Sequence, residues 1–374
     1  MNWHSYFRGR TRDPAFLWRM VLAILAMGIV LGFVAEHLPR TVASPGENWT
    51  PQGNLSSAGQ QLEQLASQGL WWRLWWAIPS VIFPSSLSAP GPLFLAGWAG
   101  LLWFVFSLQV IHVRGLSDLR LPILLIAVGL GMLSIWPTHF FHYYQEFHWN
   151  LSPSNDLVPG LRYYVLGVGL SEELAKLLCL LPLLCLLRKH DELLVLIASA
   201  CVGLGFAVAE NAGYFSRSGG SDLVGRFLTA NPAHMTFTGL VGLAVYRGMH
   251  QPSSWGPQAV AMFGGIVFAH GLYDAAIALP ALAEYSLLGT MVFIGVVYQY
   301  FHELRTLRPT RGETISLTAN FLVGISLATA VTFVYLSATI DWWTAWKVLA
   351  QEGLGLSLMV YMFLREMPET LVSV

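Results

Sequence analysis

The stretch LLVLIASACVGLGFAVAENAGYF, residues 193–215, decides the class of fold. Its only charged residue is Glu210, and as a helix rising about 1.5 Å per residue it is long enough to cross a hydrocarbon core of about 30 Å. Of the 374 residues, 55% are hydrophobic and only 11% are charged, whereas soluble domains have about 25% charged residues. So few charges cannot cover a water-soluble surface, and the sequence therefore predicts an integral, polytopic membrane protein.

Similar apolar stretches recur along the chain and predict an all-α bundle of about ten transmembrane helices. The span 120–137 is only marginally apolar, and the span 232–247 is short. The predicted spans are 15–36, 90–111, 120–137, 161–187, 193–215, 232–247, 258–281, 286–303, 314–339 and 346–364.

The distribution of cationic residues predicts the orientation, because cytoplasmic loops are enriched in Lys and Arg. With ten spans the cationic loops alternate, and both termini are expected in the cytoplasm. The residues expected on the cytoplasmic side are Arg8, Arg10, Arg12, Arg114, Arg120, Arg188, Lys189, Arg247, Arg305, Arg308, Arg311 and Arg365. The formal net charge of −1 gives no reason to expect nucleic acid as a partner.

Three regions are expected along the chain. Residues 1–137 contain the first spans, a polar outer loop at 37–69 and a Trp-rich segment at 70–84 (LWWRLWWAIPSVIFP). The Trp-rich segment is too short to cross, is interrupted by proline, and is expected to lie in the outer interface, where Trp is favoured. Residues 160–281 are expected to form a four-helix core that carries the polar motifs, and residues 284–374 are expected to form the C-terminal spans.

The four-helix core carries ionisable side chains where lipid makes them costly. A charge at the centre of a spanning helix costs about 2.5–3.5 kcal/mol on insertion scales, so such residues usually serve a function. These ionisable residues are Glu172, Glu173, Lys176, Glu210, His234, His270 and Asp274. Counted from the expected outer helix ends, Glu173, Glu210, His234 and His270 lie at the middle or in the outer half of the bilayer.

Helical spacing indicates which of these groups share a face. Glu172 and Glu173 lie four and three residues before Lys176, so that one ammonium group can pair with both carboxylates. His270 and Asp274 are also four residues apart, and the carboxylate could fix the imidazole tautomer. Two histidines and several carboxylates on neighbouring helices can bind a divalent metal or hold a water molecule by hydrogen bonds alone.

Each of these pieces also has a purely structural interpretation. A single intramembrane histidine commonly joins two helices by a hydrogen bond, and a Glu-Glu-x-x-Lys sequence can act as an interhelical clamp. His139, His142 and His148 fall in the expected loop after the third span and are interpreted as interfacial residues. Only the combination of all the polar motifs on consecutive helices favours a function.

That combination resembles a known family. EExxK at Glu172, FxxxEN at Phe206, His234 at the start of the next span and HxxxD at His270 together resemble the PrsW intramembrane proteases, and more distantly the CAAX prenyl endopeptidases. The resemblance covers about residues 160–280, with the motifs in order on consecutive predicted helices.

The resemblance implies an endopeptidase in the bacterial cytoplasmic membrane that cleaves a single-span membrane protein, such as an anti-sigma factor, near the outer face. The substrate and the lipid bilayer are then its partners. The residues implied as catalytic are Glu172, Glu173, Glu210, His234 and His270, with Lys176, Asn211 and Asp274 in support.

For the chemistry we hypothesise that Glu173 is the general base on a water held by His270 and His234. Asn211 or an imidazole N–H then stabilises the oxyanion. Zinc is one option for a cofactor, and a metal-free glutamic mechanism is the other. The candidate metal ligands are Glu173, Glu210, His234 and His270.

Two other functions fit the same residues. Buried acids and histidines in a helix bundle are also typical of proton-coupled transporters, although no internal repeat supports that interpretation. A catalytically silent binding or immunity-type membrane protein is the third alternative.

Overall fold

A computed structural model describes residues 10–38, 57–87, 90–113, 115–285, 287–308 and 316–367, and all regular secondary structure in these ranges is helical. A π-helical segment, Tyr163–Gly169, joins α6 to α7, and a 3₁₀ helix, Pro280–Tyr285, follows α11. The helices are α1 (Pro14–Glu36), α2 (Ser57–Ser67), α3 (Trp71–Leu87), α4 (Pro90–Val110), α5 (Arg120–Trp149), α6 (Leu157–Arg162), α7 (Leu170–Leu186), α8 (Glu192–Ser218), α9 (Leu223–Leu228), α10 (Ala230–His250), α11 (Pro252–Ala278), α12 (Leu287–Leu307), α13 (Leu317–Thr339) and α14 (Trp342–Glu366).

Seven helices in the described ranges are long and apolar enough to cross a membrane, namely α1, α4, α5, α8, α11, α12 and α13. The count becomes eight if α14, which bends by 55° between its two halves, is a single span. This establishes an integral, multi-pass membrane protein. The expected number of about ten also included α7 and α10. These two helices are not counted as spans because α7 has only 17 residues and α10 contains several polar residues. Both helices carry ionisable residues of the predicted cluster.

Two adjacent helices form the centre of the bundle. Every residue at positions 194–208 of α8 and at positions 230–244 of α10 is buried. The helices approach closely at Gly203, where a methyl group would collide with the carbonyl oxygen of His234. The missing side chain at Gly203 therefore sets the position of His234 against α8.

A second close approach sets the position of α11. At Gly271 a methyl group would collide with the backbone of the π-helical segment at Val165. A π-helix is wider than an α-helix, and such segments are frequent at functional sites. Here the segment directly precedes α7 and packs on α11, so that Glu173 on α7 comes within reach of His270 on α11.

Three local expectations were wrong. The expected outer loop 37–69 contains helix α2 from Ser57 onward, while residues 39–56 of that loop lie outside the described ranges. The Trp-rich segment is one continuous helix across Pro79, because Leu74 and Ile78 are fully buried against α2. Helix α5 continues to Trp149, past the expected end at 137, and His139, His142 and His148 thus belong to a helix instead of a loop.

Candidate active site

A cavity of about 480 Å³ lies at the end of the bundle where α5, α8 and α11 finish and α10 begins. Its wall contains many aromatic side chains, including Tyr163, Tyr214, Tyr273 and Phe237. The wall is therefore largely apolar, as small-molecule and peptide pockets usually are, with a few polar groups converging on it. The polar residues among those that line it are Thr138, His139, His142, Glu172, Glu210, Arg226, Thr229, His234, His270 and Asp274.

Lys176 lies behind this cavity and is completely buried. Its Nζ atom donates to Oε1 of Glu173 at 2.9 Å, to Oε2 of Glu172 at 3.3 Å and to Nδ1 of His234 at 2.8 Å. The same atom lies 3.9 Å from the centre of the Phe206 ring. The three N–H bonds of the ammonium group are thus all used, and burial is tolerated because two carboxylates offset the charge.

His270 is held from behind by a carboxylate. Its Nδ1 atom lies 2.9 Å from Oε1 of Glu173, which is itself only 2% exposed. The other ring nitrogen, Nε2, lies 3.6 Å from Oε2 of Glu172 and 3.5 Å from Oδ2 of Asp274. Contact with Glu173 at Nδ1 fixes the proton there, so the Nε2 edge is the one presented to the cavity.

His234 contacts a cation at Nδ1, where His270 contacts a carboxylate. An ammonium group has no lone pair, so Nδ1 of His234 must accept the hydrogen bond from Lys176. In the neutral ring the proton then lies on Nε2, which donates to Oε2 of Glu210 at 3.3 Å. The His234 and His270 ring centres are 5.4 Å apart. Lys176 and Glu173 therefore determine the orientation of both histidines.

Arg226, on the short helix α9, was not anticipated from the sequence, where it was only one isolated cation in an outer loop. Its Nη2 atom donates to Oε2 of Glu210 at 2.5 Å, and its Nε atom donates to Oδ1 of Asn211. The guanidinium also stacks over the Tyr214 ring at 3.6 Å. It lines the cavity, so this site contains a second cation.

The structure changes the expected role of Asn211. Its side chain is fully buried and does not line the cavity, because Nδ2 donates to Oδ1 of Asn231 at 2.7 Å while Oδ1 accepts from Arg226. Both ends of the amide are therefore engaged, and the side chain does not reach the cavity where an oxyanion would form. Asn211 instead positions Arg226.

All eight side chains singled out in the sequence belong to one connected cluster. Glu172, Glu210, His234, His270 and Asp274 line the cavity. The remaining three, Glu173, Lys176 and Asn211, lie behind that layer and hold it. The sequence thus predicted the membership of the cluster but could not separate its two layers.

The arrangement changes two expected roles. Glu173, the expected general base, is buried between Lys176 and His270, whereas Glu172 faces the cavity. Asp274, the expected orienting partner of His270, makes only a long contact, and Glu173 takes that position. Successive helical residues point about 100° apart, so adjacent glutamates can face different environments.

The donor set fits a divalent cation. One oxygen of Glu172 and one nitrogen each of His234 and His270 lie within 4.8 Å of one another, and all three residues are buried. Three N and O ligands beside an open cavity are the usual plan of a catalytic zinc site. The cluster contains four carboxylates and two cations, Lys176 and Arg226. With each group in its usual ionised form the net charge is −2, which one divalent cation would neutralise. The carboxylates are Glu172, Glu173, Glu210 and Asp274. The set expected from the sequence had Glu173 and Glu210 in place of Glu172.

The comparisons with known proteins agree with the resemblance seen in the motifs. Residues 120–300 match the model of a family described as PrsW family intramembrane metalloprotease. No curated protein and no solved structure gives a significant match. The matched segment runs from α5 into α12 and contains every residue of the polar cluster. Residues 120–300 of this multi-pass membrane protein therefore match the PrsW family of intramembrane metalloproteases, in agreement with the motifs.

Proposed function

We propose that this protein is an endopeptidase that hydrolyses a peptide bond of a membrane-protein substrate near the outer face of the membrane. The observation that carries the proposal is the pairing of Glu172 with Nε2 of His270 on the cavity wall, with Glu173 fixing the histidine from behind. A carboxylate and an oriented imidazole within about 4 Å of each other are the components that hydrolysis by an activated water requires.

In the proposed reaction Glu172 takes a proton from a water molecule, and the water oxygen attacks the carbonyl carbon of the substrate. Negative charge then develops on the carbonyl oxygen, and Arg226 is the cation on the cavity wall that favours it. The carbon–nitrogen bond breaks as Glu172 returns the proton to the leaving amine. Glu210 is held by Arg226 and His234, so its part is to keep those two groups in place.

Zinc bound by Glu172, His234 and His270 would supply Lewis acidity and lower the pKa of its bound water. Glu172 would then be a ligand instead of the general base, and His234 would give up one of its present hydrogen bonds, to Lys176 or to Glu210. Other residues of the chain would then orient the zinc ligands. Glu173 fixes His270 through Nδ1, as carboxylates commonly do for histidine ligands. Lys176 contacts both Glu172 and His234, and it sets the charge of the site with or without metal.

The surroundings of the cavity support a proposal for the substrate class. The cavity is surrounded by membrane helices and its wall is rich in aromatic side chains, which suit a peptide segment leaving the bilayer. We propose a single-span membrane protein, in the manner of an anti-sigma regulator, and the bacterial cytoplasmic membrane as the location. The cationic-loop pattern of the sequence supports a cavity that faces outward.

Cleavage of single-span reporter proteins in proteoliposomes tests the proposal. Glu172→Gln and His270→Ala should abolish cleavage by folded protein. Glu192→Gln is the matched control, because this carboxylate pairs with Arg247 at the opposite end of the bundle. A chelator should stop cleavage and zinc should restore it. A folded wild-type protein that cleaves no reporter but conducts protons would contradict the proposal in favour of transport.

A further inference from the structure

A second cavity adjoins the first and takes no part in the proposed chemistry. This side chamber has a volume of about 340 Å³ and lies between the C-terminal part of α5, helix α2 and the π-helical segment. Two exposed carboxylates, Glu63 on α2 and Glu146 on α5, lie on its wall. The residues that line it are Glu63, His139, His142, Tyr143, Gln145, Glu146, Leu151, Pro153, Tyr163 and Gly167.

The side chamber and the catalytic cavity share a wall. His139, His142, Pro153 and Tyr163 line both spaces. On the catalytic side of that wall lies Glu172, and on the other side the exposed carboxylates lead to the surface. A thin layer of side chains, three of them polar, therefore separates the candidate general base from a second path to solvent.

One polar atom in this wall indicates that water is present. Nε2 of His142 is buried and has no hydrogen-bond partner in the described part of the chain. Buried polar atoms in native proteins are nearly always bonded, and ordered water is the usual partner when protein groups are missing. Gln145, also buried, accepts from Oγ of Ser171 at 2.6 Å, next to Glu172 in the sequence. The chamber is polar and roomy enough for several water molecules.

We propose that the side chamber is the entrance through which water reaches the catalytic cluster, separately from the substrate. A peptide bound in the cavity displaces solvent from it, yet each turnover consumes one water molecule. A second polar passage, which opens beside Glu63, supplies water to Glu172 while a peptide occupies the cavity. The purpose of this passage rests on the proposed hydrolytic function. Helix α2, which provides Glu63, lies outside the segment matched by the family model.

Thiol labelling tests the passage independently of proteolysis. The three native cysteines, Cys179, Cys185 and Cys201, are first replaced by alanine. In that background His142→Cys is treated with sulfonatoethyl methanethiosulfonate, a charged reagent that reacts only from water. Adding Glu63→Trp plugs the chamber, whereas Gln64→Trp adds the same bulk to an exposed neighbour that lines neither cavity.

The thiol introduced by His142→Cys should react readily, and Glu63→Trp should slow that reaction about tenfold because access limits thiol chemistry. Gln64→Trp should leave the rate unchanged. An unreactive thiol in a folded variant, or a rate insensitive to Glu63→Trp, overturns the proposal, since the second result means that water arrives through the catalytic cavity.

Reporter cleavage then links the passage to catalysis. Glu63→Trp should lower kcat about threefold or more with KM unchanged, because a supply step limits turnover without altering substrate binding. Labelling that follows the expected pattern in a protein that cleaves nothing supports the passage and contradicts the proposed function instead. An unchanged kcat in a plugged, active enzyme overturns the role of the passage in catalysis.

Discussion

Nδ1 of His270 lies 2.9 Å from Oε1 of Glu173, and this contact turns the Nε2 edge of the ring toward the cavity. Adjacent Glu172 faces that edge at 3.6 Å. Both glutamates are buried and contact Lys176, but only Glu172 lines the cavity, so the two neighbours have different environments. Their roles should separate experimentally.

Substitution of the two glutamates should give different kinetics. Glu172→Gln should reduce kcat by about 10²–10⁴-fold, the usual contribution of a general base. Glu173→Gln should reduce it by about 10–100-fold, because the amide oxygen still accepts from His270 but holds it less strongly. Steady-state cleavage of the best reporter measures both. Equal losses would mean that the two carboxylates act as one unit.

The metal content should follow the three candidate ligands. The purified protein should hold about one zinc ion per chain, and His234→Ala and His270→Ala should each lose it. His250→Ala should retain it, because that ring bonds to backbone carbonyl groups at the opposite end of α10. Elemental analysis of detergent-purified protein measures the zinc content per chain. Full activity in metal-free protein would instead identify a glutamic protease.

Arg226 should be coupled to Glu210. A double-mutant cycle with Arg226→Gln and Glu210→Gln should give a coupling free energy of about 1–3 kcal/mol, since the side chains are only 16% and 20% exposed and touch at 2.5 Å. Thermal unfolding in detergent provides the free energies. Arg226→Lys should restore little of the loss because it cannot also reach Asn211 with a fixed planar group. Additive single effects would mean that the pair is not coupled.

The close approach at Gly203 should be required for the site. Gly203→Ala should cost about 1–3 kcal/mol of stability and displace His234, because the methyl group meets the backbone of α10. Gly129→Ala, on an open face of α5 with nothing nearby, should be neutral or stabilising by up to about 1 kcal/mol. Melting temperature and kcat should fall together only for Gly203→Ala. Unaltered activity there would show that α10 can move without harm to the site.

The Trp-rich helix α3 should divide into packed and exposed tryptophans. The Trp75 ring packs against Trp136 with the ring centres 4.7 Å apart, and Nε1 of Trp136 donates to the Trp75 carbonyl oxygen at 2.8 Å, whereas Trp72 is 72% exposed. Trp75→Ala should therefore lower stability by about 2 kcal/mol, less than a fully buried tryptophan would cost. Trp72→Ala should leave the melting temperature in detergent unchanged. Equal effects would contradict this packing.

The motifs alone predicted which residues meet. Glu172, Lys176, Glu210, His234 and His270 come together as expected, because isolated ionisable groups in apolar helices must find one another. The sequence did not indicate Arg226 or His142. Arg226 lies between the motif-bearing spans, and His142 lies beyond the apolar part of α5. Neither residue interrupts an apolar stretch, which was the signal that identified the others.

By itself, the sequence determined that the chain spans the membrane as a helical bundle and that its polar residues cluster on consecutive helices, since both follow from the cost of charge in lipid. The tertiary structure was needed to show which glutamate lines the cavity and which partner each histidine nitrogen has. Those outcomes depend on helix rotation and on approach distances of a few ångströms at Gly203 and Gly271. Helical periodicity places residues on a face, but the neighbouring helices determine what that face contacts.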